Sequence, residues 1–381
     1  MIESLELFEK ARAAGGRAVM ATLINTKGPT PRKSGARMFV GEEGRILGSV
    51  TIGGCVDARV IEEAEAIILN RASKRLKVAL GDEEAGELGL TCGGNVDVLI
   101  DFIDFSDLAD PVVRLHELAH REMQAGRRTA LVTWVSAESD GSASSRKRML
   151  IDDDGRVHGS LGNRMGVPGK QIVEDARGMM QSGRSRMLSY EVEGKTIELF
   201  IEVFGPPFPL IIFGGSHAAI PLVSMARVLG LRTVVVDGRP RFANRERFPE
   251  ADEVIVGIPS EVAEGLTLDA TTSIVLLTHD YKYEVPVLKR ALSTECGYIG
   301  LLGSRRRGKA ILDLLHELGV EERQLQRVRV PVGLNIGAQT APEIALSILA
   351  EILAVRNGRF GGSLSEADRL PTGTVKSSVI C

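Results

Sequence analysis

Between Pro209 and Asp237 the chain reads P-L-I-I-F-G-G-S-H-A-A-I-P-L-V-S-M-A-R-V-L-G-L-R-T-V-V-V-D. An apolar run, Leu210 to Phe213, ends in Gly214-Gly215. An amphipathic stretch follows, expected to set Ile220, Val223, Val228 and Leu229 on one side, and Gly230 stops it. A second apolar run closes on Asp237. Strand, tight turn, helix, strand, acid is the first half of a dinucleotide-binding unit. It predicts a C-terminal Rossmann-like domain with a doubly wound parallel sheet. The turn would offer backbone N–H groups and a helix N-terminus to phosphate, and the acid a ribose contact. The fingerprint is incomplete, because Ser216 stands where its second glycine belongs and Ala219 or Ile220 where its third does. Gly214, Gly215, Ser216, His217 and Asp237 are therefore candidate cofactor contacts, and NAD(P) is not the expected ligand.

The first half of the chain repeats itself at an offset of 111 residues, Met38 to Met149. Ala36-Arg37-Met38-Phe39-Val40 meets Lys147-Arg148-Met149-Leu150-Ile151. Gly44-Arg45 meets Gly155-Arg156, and Ala18-Val19-Met20-Ala21-Thr22 meets Thr129-Ala130-Leu131-Val132-Thr133. Each copy reads helix, strand, strand, hairpin partner, helix, strand, strand. This predicts an N-terminal α+β domain over 1–207, built from copies 1–107 and 108–207. Gly205-Pro206-Pro207-Phe208-Pro209 is the expected linker, 208–358 the Rossmann-like domain and 359–381 a flexible tail.

A feature found in one copy only is an addition to the repeated frame. Ile52-Gly53-Gly54-Cys55 and Cys92-Gly93-Gly94 belong to the first copy alone. A thiol at a helix start has its thiolate favoured by the helix dipole, and paired glycines admit a ligand to the backbone. The bland alternative is two small residues in tight turns. The loop Gly28-Pro29-Thr30-Pro31-Arg32-Lys33-Ser34 carries two cations that suit an anionic ligand. By contrast, His116-Glu117-Leu118-Ala119-His120 fits a zinc-hydrolase helix in letters only. Its counterpart in the first copy is Leu5-Glu6-Leu7-Phe8-Glu9, so the helix is frame and no zinc is expected.

Further along, Arg239 and Arg241 follow Asp237 and are open to two uses, pairing with the acid or meeting phosphate. Thr278-His279-Asp280 ends a strand, with His279 either a ligand contact or a partner of Asp280. Gly303-Ser304-Arg305 opens another helix after a strand, a second anion-shaped corner with Ser304 and Arg305 as candidates. Thr340 and Glu343 form a capping box before the last helix.

Composition removes several classes. Net charge is −3 and aromatics are 4% of 381 residues, so no nucleic-acid surface is expected. No apolar run of membrane-spanning length exists, and the N-terminus does not read as a signal peptide. The four scattered cysteines suit reduced thiols in a cytoplasmic protein.

The chain resembles the xanthine dehydrogenase accessory proteins of the XdhC/CoxI type. The likeness rests on Gly28-Pro29-Thr30-Pro31-Arg32, Gly35-Ala36-Arg37-Met38, Ile52-Gly53-Gly54-Cys55-Val56 and Cys92-Gly93-Gly94 in the first half. In the second half it rests on Val236-Asp237-Gly238-Arg239-Pro240, Phe248-Pro249-Glu250-Ala251-Asp252, Thr278-His279-Asp280, Gly300-Leu301-Leu302-Gly303-Ser304-Arg305 and Gly333-Leu334-Asn335-Ile336-Gly337. Ser216 departs from the family's Gly-x-Gly-His turn, where His217 still matches, and Asn335 replaces an acid. The resemblance implies a maturation factor with no catalytic residue of its own. Such a protein binds molybdenum cofactor, assists its sulfuration by a cysteine desulfurase, and passes it to the apo-subunit of a molybdenum hydroxylase of xanthine or carbon monoxide dehydrogenase type. Cys55 would be the soft ligand to the metal, with Gly53, Gly54, Cys92, Arg32, His279, Ser304, Arg305 and the Rossmann turn completing the site. A homodimer is expected. An NAD(P)-dependent oxidoreductase, or a permanent structural subunit, is the competing expectation.

Overall fold

The computed structural model describes residues 2–27, 34–51, 54–79, 95–135, 147–162, 169–192, 194–278 and 280–363. The chain divides into two compact units, Met1–Pro206 and Pro207–Cys381.

The first unit holds two copies of one motif. Helix α1 (Ile2–Ala14) leads into β1 (Arg17–Lys27), the hairpin β2 (Arg37–Gly41) and β3 (Ile46–Gly48), α2 (Cys55–Asn70), β4 (Ser73–Ala79) and β5 (Asn95–Asp104). The second copy is α3 (Pro111–Gln124), β6 (Thr129–Val135), β7 (Arg148–Asp152), β8 (Val157–Ser160), α4 (Gly169–Ser182), β9 (Arg186–Val192) and β10 (Lys195–Phe204). The two antiparallel sheets have the same strand order, β3-β2-β1-β5-β4 and β8-β7-β6-β10-β9. Register repeats too: Thr22 faces Arg37 and Met20 faces Asp101, as Thr133 faces Arg148 and Leu131 faces Glu202. Gly44 and Gly155 sit at φ 72° and 81° in the hairpin turns, a conformation that glycine adopts without strain.

Period-two alternation gives each sheet two buried faces. One face packs α2 or α4 through Val56, Val60, Ala64 and Ile67, or Ile172, Ala176, Met179 and Met180. The other carries α1 and α3, with Phe8, Phe39, Phe105 and Val112 in one cluster and Leu5, Leu115, Leu131 and Phe204 in the next. The copies meet around Ile24, Leu99, Val135 and Phe200, two equivalent residues from each copy. They differ most at one connection: β4 and β5 are separated by residues 80–94, β9 and β10 by residues 193–194.

In the second unit six parallel strands take the order β13-β12-β11-β14-β15-β16. They are β11 (Pro209–Phe213), β12 (Arg232–Asp237), β13 (Glu253–Val256), β14 (Ser273–Leu276), β15 (Tyr298–Leu301) and β16 (Val328–Arg329). Helices α5 (Ala219–Val228), α6 (Pro259–Gly265), α7 (Tyr281–Leu292), α8 (Arg305–Glu317), α9 (Glu322–Leu325) and α10 (Ala341–Arg356) connect and follow the strands. Strands buried on both faces account for the continuous apolar runs Leu210–Phe213 and Val234–Val236. The buried side of α5 is Ala219, Leu222, Val223 and Ala226. The sequence expectation erred there: Val228 is 88% exposed and Leu229 is also exposed, because both fall in the last turn, beyond the residues that meet the sheet. The capping box of Thr340 and Glu343 is present. Among the described residues no helix is long and apolar enough to cross a membrane.

Candidate functional site

The strand order of the second unit reverses between β11 and β14, and open α/β sheets bind ligands outside the carboxyl ends of the strands at such a point. Gly214, at φ 113°, leaves β11 pressed against the end of β14: a Cβ there would lie 2.9 Å from the Leu277 carbonyl carbon and the Thr278 nitrogen. Gly215 is pressed against its own chain in turn. A Cβ there would lie 2.4 Å from the Phe242 carbonyl oxygen, so the segment after β12 lies over this glycine.

Asp237 joins the two turns. Its carboxylate accepts from the Gly215 N–H at 2.9 Å, the Arg239 N–H at 2.9 Å, and Arg239 Nε and Nη2 at 3.0 and 2.9 Å. Burial alone would raise this carboxyl, but the Arg239 side chain and the two N–H groups outweigh it and hold the pKa below the ordinary value. Of the two uses open to Arg239 in the sequence, pairing with the acid is the one observed. The guanidinium also lies 3.8 Å over the Phe242 ring. Arg247 donates to the Gly215 carbonyl at 3.1 Å. The Ser216 hydroxyl is buried with no partner among the described residues. His217 is exposed, and α5 begins without a side-chain cap.

On the other side of the switch point, Asp280 caps α7 by accepting from Lys282 N–H at 2.9 Å. Thr278 donates to Glu284 at 3.2 Å. Glu284 is fully buried and ion-paired with Arg307. Ser304 caps α8, and Arg305 beside it is exposed. Sequence reasoning missed Glu284 and the pairing of Arg307; the available signal was an acid in the first turn of a helix that otherwise buries apolar residues. The loop after β16 is fixed to α10: Gly333 N–H donates to Glu351 at 2.8 Å and Ser347 Oγ to the Leu334 carbonyl at 2.7 Å. His279 lies outside the described residues.

In the first unit the strand ends show where the flagged segments leave the sheet. Lys27 at the end of β1 faces Asn95 at the start of β5, which faces Ala79 at the end of β4. Arg37 opens β2 opposite Thr22, and Gly48 closes β3 opposite Met38, toward the same end. The chain therefore departs toward Arg32, toward Gly53 and toward Cys92 from one rim. Those three residues lie outside the described residues. Cys55 is described for its backbone only: it is the first residue of α2, behind Gly54 at φ 76°. Asp57, in the first turn, accepts from Val50 N–H at 3.0 Å and Thr51 N–H at 3.3 Å and so ties the incoming chain to the helix start.

His116 and His120 turn to different neighbours. His116 is fully buried, its Nδ1 2.7 Å from the Val112 carbonyl and its ring stacked on Phe8 at 4.6 Å. Burial, then the charges of Arg37 and Arg148, push its pKa well below the ordinary 6.5. His120 turns instead to Glu9 at 3.3 Å. Among the described residues no group of three or more His, Cys, Asp or Glu side chains could hold a metal ion.

Likeness to known proteins adds to this geometry. The family model described as the XdhC and CoxI family matches twice, at residues 11–79 and 123–191, one match in each copy. The model described as the XdhC Rossmann domain matches residues 210–352. From Bacillus subtilis, a probable xanthine dehydrogenase subunit is 27% identical over 89% of this chain and 93% of its own length. The molybdenum cofactor insertion chaperone PaoD of Escherichia coli is 26% identical over 91% of this chain and 86% of its own. A crystal structure described as a xanthine dehydrogenase from Bacillus halodurans superposes with a TM-score of 0.68 at 26% identity, covering 96% of this chain and 99% of that one.

Proposed function

The chain belongs to the XdhC and CoxI family, and from that membership we propose that it is an accessory protein that binds molybdenum cofactor and assists its insertion into a molybdenum enzyme. The observation that carries this reading is the likeness to an insertion chaperone along nearly the whole of both chains, through both units and not through the Rossmann domain alone. In the finer form of the proposal the recipient is the apo-subunit of a molybdenum hydroxylase of xanthine or carbon monoxide dehydrogenase type. A cysteine desulfurase sulfurates the metal while it is held, and the protein works as a cytoplasmic homodimer.

The cofactor is cargo, an anionic pterin phosphate whose metal takes soft sulfur ligands. In this proposal Cys55, the first residue of α2, is such a ligand. The competing reading, in its NAD-dependent form, needs an acid after β12 that is free to accept from ribose hydroxyls. Asp237 already accepts from Gly215 and Arg239, so that reading comes second.

Protein purified from cells that make the cofactor should carry pterin fluorescence and molybdenum in comparable amounts, and should lose both on transfer to an apo-hydroxylase. Purified protein that holds neither, yet binds NADH saturably, would overturn the proposal in favour of the oxidoreductase.

A further inference from the structure

The turn after β11 has lost the two features with which a dinucleotide site reads its ligand. The Gly215 N–H, which would face phosphate, donates to Asp237. The space over Gly215, where a Cβ would stand, holds the Phe242 carbonyl. Asp237, which would read the ribose diol, is filled by the same N–H, the Arg239 N–H and the Arg239 guanidinium. What stands at the mouth of this turn instead is Arg239 itself.

The way Arg239 is held matters. Asp237 takes the side edge of the guanidinium, Nε and Nη2. That leaves the end edge, Nη1 and the second Nη2 proton, turned away from the carboxylate, and the side chain is 62% exposed. One face lies on the Phe242 ring at 3.8 Å, and the Arg247 guanidinium is 5.3 Å from the same ring. A fork fixed by a carboxylate on one edge and an aromatic ring on one face has little freedom left to lose when an anion meets the other edge. It donates only and carries a full positive charge, so it favours anionic phosphate oxygens over neutral hydroxyls. The buried Ser216 hydroxyl, without a partner among the described residues, sits next to Gly215 in the same turn.

We propose that Arg239 reads a phosphate ester on the cargo through its free guanidinium edge, so that this corner of the Rossmann domain recognises phosphate where the usual turn recognises a ribose diol. The assignment of the cargo rests on the cofactor-binding reading above; the phosphate site itself does not.

Two titrations separate the two. In the first, inorganic pyrophosphate is titrated calorimetrically into the full chain and into Arg239→Ala and Arg239→Gln, each checked for an unchanged melting profile. Arg239→Gln keeps a donor for Asp237 and a flat group over Phe242 without the charge, so it serves if Arg239→Ala fails to fold. The second measures binding of molybdenum cofactor before and after removal of its phosphate by a phosphatase. The parent should prefer the phosphorylated form by about tenfold to a hundredfold, and both variants should lose that preference and the pyrophosphate signal. Pyrophosphate binding that needs Arg239, with no cofactor bound in either form, would uphold the site and overturn the cargo. Pyrophosphate binding that is absent from the parent, or equal in parent and variants, would overturn the site. A phosphate preference that survives in Arg239→Gln would do the same.

Discussion

Arg37, on β2 of the first copy, is ion-paired at 2.5 Å with Glu202, on β10 of the second, and the two side chains are only 1% and 5% exposed. The equivalent residues complete the exchange, since Arg148 of the second copy pairs with Asp101 of the first. Each copy thus gives one buried cation and one buried anion to the other.

Removing one member of such a pair leaves its partner buried and unmatched, which costs about 3–5 kcal/mol. Glu202→Gln should therefore destabilise the first unit by that order in denaturant unfolding, and Arg37→Met by a similar amount. Arg37→Met combined with Glu202→Leu should recover most of the loss, since no charge is then stranded. A double variant as unstable as the sum of the singles would show that the pair itself, and not the stranded charge, carries the stability.

His116 makes stability depend on pH. Its folded pKa is depressed by burial and by two arginines, while the unfolded side chain titrates near 6.5. Stability is therefore whole above about pH 6.5 and falls as pH drops from there toward the folded value, by about 1.4 kcal/mol per pH unit for one proton. His116→Leu, which installs the residue of the first copy's helix, should flatten the melting temperature between pH 7.5 and 5.5. With His120→Phe added, bound metal per chain should not change, and loss of a stoichiometric metal would reinstate the zinc reading.

The thiols should differ in reactivity. Cys296 is buried, and burial pushes its pKa up to about 11. Cys55 opens a helix behind Gly54. Alkylation of the native protein, followed by mass spectrometry, should label Cys55 before Cys296, and bound cofactor should protect it. Cys55→Ser should release cofactor at least several-fold faster with an unchanged melting temperature. If Cys55 resists alkylation in the empty protein and the variant retains cofactor as the parent does, the glycines alone account for the motif.

Gly215→Ala should be costly for a reason unconnected with ligand. The new methyl would meet the Phe242 carbonyl, which is backbone and cannot swing aside. A loss of about 1–3 kcal/mol is expected in thermal or denaturant unfolding. Gly265→Ala, with nothing within 4 Å of the added atom, is the control and should be near neutral.

The sequence revealed what is written at fixed spacing. The offset between copies set the element order of the whole first unit, because strand pairing conserves length and register. The strand–turn–helix–strand run set the parallel sheet, because strands buried on both faces must be apolar throughout. Partners far apart along the chain were not legible: nothing local to Arg37 or Glu202 names the other, 165 residues away. Asp237 and Arg239 are adjacent enough for pairing to be foreseen as one of two uses, but the approach of Phe242 to Gly215 follows from the path of a loop. Val228 and Leu229 misled because periodicity alone does not say where a helix ends.

A dimer of identical chains must alter both of its sites whenever its gene changes. The first unit has the joint of such a dimer, with each charge answered by its counterpart, but its halves are encoded separately. One half closes its last two strands across residues 193–194, while the other inserts residues 80–94 at the same place and carries both glycine-flanked cysteines. Duplication within one chain thus permits a division of labour: one half is free to change, while the other keeps the frame against which it folds.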